Sequence, residues 1–394
     1  METAAHRRYL IVMVLTLAAV IAAAALLNRA ANPYCLFASD WFSARVKPET
    51  FTHLRLVKAM QTRHLHPQAI ILGSSRAETG LDPAHPAWAA QPVYNLGLSD
   101  AGIYEIKRYF QHACAVGGLK QAVLLLDFTA FLPGGSNAPD FREDRLAMKA
   151  DGTPNPALPW KDYLVGLASW DACVGSAATL LGRGAEKRYL PDGSRDANAE
   201  DARVLSKGGA AKAFAAYEKR ALPLMNNGAM TLGTAEMGHL RDTLALARKH
   251  HVDLRLAIAP MHARYLEMIS IVGQWDLYEQ WKREITRLVE EEAAASRLSA
   301  VLLMDFGGYD TFTTEEVPQR GLARYYLEAS HFTKTLGDIL LARVLSPDVG
   351  QPQNFGVRLE GQMIAAHLAA IRDARAAWRA GHAADLETLK AYAR

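Results

Sequence analysis

Ala69-Ile70-Ile71-Leu72-Gly73-Ser74-Ser75-Arg76 sets a short aliphatic run directly before a glycine, two serines and an arginine. Four apolar residues with no polar alternation suit a strand buried on both faces, as in a parallel sheet. Ligands of such sheets gather at the carboxyl ends of the strands, so the turn at Gly73–Arg76 stands where a nucleophile would be held.

Working outward, the same grammar repeats. Phe51, Leu54, Leu56, Val57 and Met60 lie at helical spacing just before the strand. Residues 91–97 (QPVYNLG) read as a second strand, 102–116 as a helix, and 121–128 (QAVLLLDF) as a buried parallel strand closed by Asp127. Alternation resumes with a helix at 234–250, a strand at 254–259, a helix at 274–296, a strand at 300–305 and a helix at 333–346 with Thr333 as N-cap. Strands alternating with helices predict an α/β fold with a mainly parallel sheet and helices on both faces. Between these core units, residues 133–233 read as a Pro- and Gly-broken insertion placed like a lid. Helices are expected at 160–181 and 209–221, and a polar loop at 183–208.

The two ends differ from the middle. Residues 9–27 (YLIVMVLTLAAVIAAAALL) carry no charge over nineteen residues. As a helix at about 1.5 Å per residue they extend roughly 28 Å, close to the hydrocarbon thickness. The run is longer than the apolar core of a cleaved signal, and Asn28-Arg29 stand where a small-residue cleavage site would lie. An uncleaved anchor over 1–31 is therefore expected. His6, Arg7 and Arg8 before it place the N-terminus in the cytoplasm, and an exported domain spans 32–349. Residues 350–394 read as an amphipathic helical tail, with Ile364, Leu368, Ile371 and Trp378 among arginines, expected to dock on its own domain rather than on a partner or a membrane surface.

Composition excludes several classes. With 50% hydrophobic and 22% charged residues the chain is globular, and a net charge of +3 over 394 residues gives no electrostatic case for nucleic acid. Cys35, Cys114 and Cys173 form no CxxC or disulfide framework, and no His/Cys set has metal-ligand spacing.

A serine hydroxyl is a weak nucleophile, so it needs a base within hydrogen-bond reach and an acid to orient that base. Glu328-Ala329-Ser330-His331, just before the last core helix, offers both: Glu328 at −3 can select the tautomer of His331, which a loop can carry to Ser75. Backbone N–H groups of Ser75 and Gly97 are placed to stabilise an oxyanion. Arg76 suits either a substrate anion or an internal acid. His262 either lines the same crevice or starts a helix, and Tyr325 and Tyr326 are read as packing residues.

This ordered set resembles the SGNH (GDSL-like) hydrolase and acyltransferase superfamily. It is similar above all to the membrane-anchored envelope branch that includes teichoic acid D-alanylation and alginate O-acetylation proteins. The resemblance implies a three-layer, flavodoxin-like fold with Ser75 as nucleophile, His331 as base, Glu328 as orienting acid and Gly97 as oxyanion donor. Ser74 stands where the family has aspartate, Glu328 replaces the usual aspartate, and Asp127 lies where the third block supplies an asparagine; either Asn95 fills that last role or the oxyanion hole is incomplete. The implied activity is ester hydrolysis or O-acyl transfer on cell-envelope glycans, without cofactor, with a membrane-bound acyltransferase as partner. A non-catalytic envelope assembly or glycan-binding protein is the alternative.

Overall fold

The computed structural model of the chain describes residues 2–39, 41–42, 45–135, 137–156, 159–184, 188–226, 228, 231–296, 300–347 and 355–393. In chain order the elements are α1 (Glu2–Ala31), α2 (Leu54–Leu65), β1 (Ala69–Leu72), α3 (Ser75–Gly80), β2 (Val93–Asn95), α4 (Ile103–Val116), β3 (Gln121–Leu126), α5 (Trp160–Ala168), α6 (Trp170–Leu180), α7 (Ala197–Ser206), α8 (Ala210–Met225), α9 (Thr234–Lys249), β4 (Asp253–Ile258), α10 (Ala263–Ile271), α11 (Trp275–Ser296), β5 (Leu303–Asp305), α12 (Lys334–Leu345), β6 (Val357–Arg358), α13 (Ile364–Gly381) and α14 (Ala383–Tyr392). The fold is α/β, built on one six-stranded, mostly parallel sheet.

Strand order is β2-β1-β3-β4-β5-β6, with only β6 antiparallel. Ile71 pairs with Asn95 on one side and Val123 on the other, so β1 is an interior strand. Its four residues and the whole of β3 are buried, as unbroken aliphatic runs predict. The chain leaves β1 toward β2 and later returns past it to β3. That reversal opens a crevice at the carboxyl ends of β1 and β3, where the Gly73–Arg76 turn and Asp127 sit.

Gly73 makes this turn possible. Its φ of 144° belongs to glycine, and a Cβ there would stand 2.8 Å from the Ala77 Cβ and 3.0 Å from the Leu125 carbonyl oxygen. A second pair of glycines closes the fold over it. α12 crosses α3 so closely that a methyl on Gly337 would overlap the Gly80 carbonyl, and one on Gly80 would overlap the Phe332 ring. This contact seats the segment carrying His331 against the helix that starts at Ser75. Gly337→Ala should therefore cost about 1–3 kcal/mol by overpacking, read as a lower midpoint in urea unfolding; an unchanged midpoint would show that the crossing is loose.

Three expectations are corrected. The polar stretch 183–208 contains a helix, α7. It is held by Glu200, which pairs with Arg203 at 2.6 Å and Arg195 at 3.2 Å, rather than by a broad apolar stripe. The helical segment at 160–181 is two helices broken at Ser169, whose hydroxyl accepts from the Ala172 N–H and so caps α6. Thr333 holds the N-cap position of α12, but its hydroxyl donates to the Arg324 carbonyl at 2.8 Å instead of capping.

The tail docks on its own domain. Arg375 of α13 pairs with Glu267 at 2.9 Å, Arg372 with Glu279 at 2.8 Å, and Asp385 of α14 with Arg264. Leu368, Ile371 and Leu389 join the main core, so this segment is part of the fold rather than an appendage. The boundary expected at 349–350 lies outside the described residues. At the other end, Ala4–Ala31 is, among the described residues, the one helix long and apolar enough to cross a membrane.

Candidate active site

β1 delivers Ser74 and Ser75 to the rim of the sheet, and their roles divide at once. Ser74 is the N-cap of α3: its oxygen accepts from the Arg76 N–H at 3.3 Å, and its hydroxyl donates to Asp127. Ser75, the first residue of α3, points the other way, and its Oγ lies 2.8 Å from His331 Nε2.

His331 is set by the tight turn at 328–331. Antiparallel pairing flanks this turn, with the Leu327 N–H donating to the His331 carbonyl at 2.9 Å and the Thr333 N–H to that of Tyr325 at 2.8 Å. Inside it the Glu328 carboxylate accepts from the backbone N–H of Ser330 at 3.0 Å and of His331 at 3.1 Å, and also meets His331 Nδ1. A carboxylate only accepts, so Nδ1 carries the hydrogen and Nε2 presents its lone pair to Ser75. Glu328 is buried, while His331 and Ser75 reach the cleft. The structure thus brings Ser75, His331 and Glu328 into one hydrogen-bonded relay.

Arg76 resolves in favour of an internal acid. Its guanidinium pairs with Asp127 at 2.6 Å and donates to the Ser330 carbonyl at 3.0 Å and hydroxyl at 2.7 Å. Burial works against this charge, but the Asp127 carboxylate together with the Tyr265 and Tyr217 hydroxyls raises the arginine pKa further. The buried Ser74–Asp127–Arg76–Ser330 cluster ties the turn carrying Ser75 to the turn carrying His331. It also explains why an aspartate follows β3, a role the sequence alone did not reveal.

Gly97 and Asn95 are not oxyanion donors. The Gly97 N–H donates to the Asn95 side-chain oxygen at 3.0 Å, and the buried Asn95 amide donates to the carbonyls of Ala77 at 2.8 Å and Leu81 at 3.1 Å. This knot fastens the end of β2 under α3. The loop continues to Asp100, which has a φ of 57° and lines the cavities on both sides of Ser75. Among the described residues, the N–H groups of Ser75 and Asp100 have no acceptor. The loop itself is fixed, with the Ser99 hydroxyl donating to Glu78 at 2.6 Å and Arg55 donating to the Ser99 carbonyl at 2.7 Å.

Two clefts meet at Ser75. One, of about 1000 Å³, runs past Tyr104, Tyr217 and His239; the other, of about 600 Å³, runs past Tyr189, Arg203 and Lys207. α8 supplies Tyr217 and Arg220 to both, so this part of the insertion is a wall of the site. The Tyr217 ring stands 6.3 Å from the His331 ring and perpendicular to it. No sequence signal marked Tyr217, which lies far along the chain from every strand end. His262 caps α10 through Nδ1, and burial lowers its pKa to about 4. Tyr326 is buried, its hydroxyl donating to the Pro260 carbonyl at 3.2 Å, and Tyr325 packs on Phe312. No protein-family model and no curated protein matches the chain.

Proposed function

We propose that the chain is a membrane-anchored serine esterase or O-acyltransferase of the SGNH type, acting on acyl esters of cell-envelope glycans. The observation that carries this reading is the Ser75–His331–Glu328 relay opening onto a cleft. Support for the fold assignment comes from the strand order, with α4, α9 and α11 packed side by side and α3 against α12, as in a three-layer α/β/α arrangement. His6, Arg7 and Arg8 before α1 favour a cytoplasmic N-terminus and an exported domain.

In this mechanism His331 Nε2 removes the Ser75 proton as Oγ attacks the ester carbonyl. The tetrahedral oxyanion takes hydrogen bonds from the N–H groups of Ser75 and Asp100. Imidazolium forms beside the Glu328 carboxylate, which holds the ring in place. Collapse expels the alkoxide, protonated by His331, and leaves acyl-Ser75. Water or a sugar hydroxyl, deprotonated by the same nitrogen, then takes the acyl group. Two clefts converging on one serine favour transfer, because an acceptor can reach the acyl-serine from the side opposite the departing donor. The natural donor would be an acylated membrane protein.

Turnover of an aryl acetate by the full chain in lipid nanodiscs tests the reading. Release of the phenol is expected, with added glycan oligosaccharide diverting acetate from water to sugar. A folded chain that releases none would favour a non-catalytic glycan-binding role. Glu328→Gln keeps an acceptor for the backbone but loses the anion, and should lower turnover by about 10²–10⁴-fold. Turnover within threefold of wild type would remove Glu328 from the relay.

A further inference from the structure

The seven tryptophans of the chain fall into two groups. Trp88, Trp275, Trp281 and Trp378 are at most 9% exposed and belong to the domain interior. Trp41, Trp160 and Trp170 are 84%, 60% and 79% exposed, and all three lie around the outer end of α1. Trp41 donates its backbone N–H to the Ala30 carbonyl of α1 at 3.1 Å. Trp160 and Trp170 begin α5 and α6, the two helices that pack on α1.

The inner face of this helical pair grips the last turn of α1. Asn28 is fully buried there, donating to the Leu167 carbonyl at 2.9 Å and accepting from the Ser176 hydroxyl at 2.7 Å. The large exposed side chains of the pair are apolar. Trp160 and Leu164 are exposed one turn apart on α5, and Trp170 and Val174 one turn apart on α6, with Leu181 just beyond it. The burial of α1 already begins at Ala24 and Ala25, inside its apolar run, so the pair sits at the edge of that run. Lys161 holds its ammonium over the Trp160 ring at 5.8 Å, an aromatic-plus-lysine pattern suited to the headgroup layer.

We propose that α5, α6 and Trp41 form a footing that lies in the outer interfacial layer of the lipid bilayer. The domain would then rest on the membrane surface rather than hang from one helix. This rests on the reading of α1 as a membrane span. Lipid is the occupant because α5 and α6 pack directly on α1, and because a mixed Trp, Leu and Val face near a membrane span partitions into headgroup and acyl boundary. The insertion that looked like one lid in the sequence therefore divides into this footing and, through α7 and α8, the wall of the cleft.

The test reconstitutes the full chain in nanodiscs of phosphatidylcholine and phosphatidylglycerol, with and without bromine on the acyl chains. Bromine quenches tryptophan on contact, and α1 contains no tryptophan. Brominated lipid should lower the emission by about a third, and the Trp41→Phe/Trp160→Phe/Trp170→Phe variant should lose most of that quenching. A chain that co-migrates with the disc yet is not quenched overturns the footing and leaves the face to a protein partner. Equal quenching of the triple variant overturns it as well. A chain that does not co-migrate with the disc overturns the reading of α1 itself.

Discussion

Replacing Ser75 by alanine should abolish aryl acetate turnover, with a fall of at least about 10³-fold, and leave the unfolding midpoint unchanged. The side chain bonds to His331 Nε2 at 2.8 Å and lies open to the cleft, so its removal leaves no buried group unsatisfied. His331→Ala should cost about as much, and the double variant little more than either single one, because a nucleophile without its base and a base without its nucleophile fail alike. Initial rates of phenol release read all three. A Ser75→Ala chain within tenfold of wild type would place the chemistry on another residue.

Arg76→Met is expected to be the most destabilising single change near the site, at about 3–5 kcal/mol. It strips the counter-ion from Asp127, which is 3% exposed and, among the described residues, keeps only the Ser74 hydroxyl. The cost arises from an uncompensated buried carboxylate, so Arg76→Met/Asp127→Leu should recover most of it. Arg76→Lys would not substitute well, since one ammonium cannot serve Asp127 and both oxygens of Ser330 in the planar geometry of the guanidinium. Urea unfolding measures the differences. A single-variant cost below about 1 kcal/mol would mean that solvent, not the arginine, satisfies Asp127.

The same residues show what was legible in the sequence. β1 and β3 could be read because burial on both faces requires uninterrupted aliphatic runs, and Ile70-Ile71-Leu72 and Val123-Leu124-Leu125-Leu126 supply them. Glu328 and His331 could be paired because a three-residue separation closes within one turn. The partnership of Arg76 and Asp127 joins positions 51 residues apart, and no local pattern carries it. Gly97 was misleading in an instructive way. A glycine suggests an open backbone donor, but whether an N–H is open depends on its neighbours, and the Asn95 side chain occupies this one. α7 escaped notice because ion pairs around Glu200 hold it, with Val204 its one buried apolar side chain. β6 is two exposed residues, too few for any periodicity.

The central claim is that Ser75 is a nucleophile activated by His331. Treating the full chain with a serine-directed fluorophosphonate and measuring its intact mass tests this most directly. A single adduct is expected, mapped by peptide fragmentation to Ser75, absent from Ser75→Ala and formed far more slowly in His331→Ala. A folded chain that takes up no fluorophosphonate, or takes it up on another serine, would contradict the account.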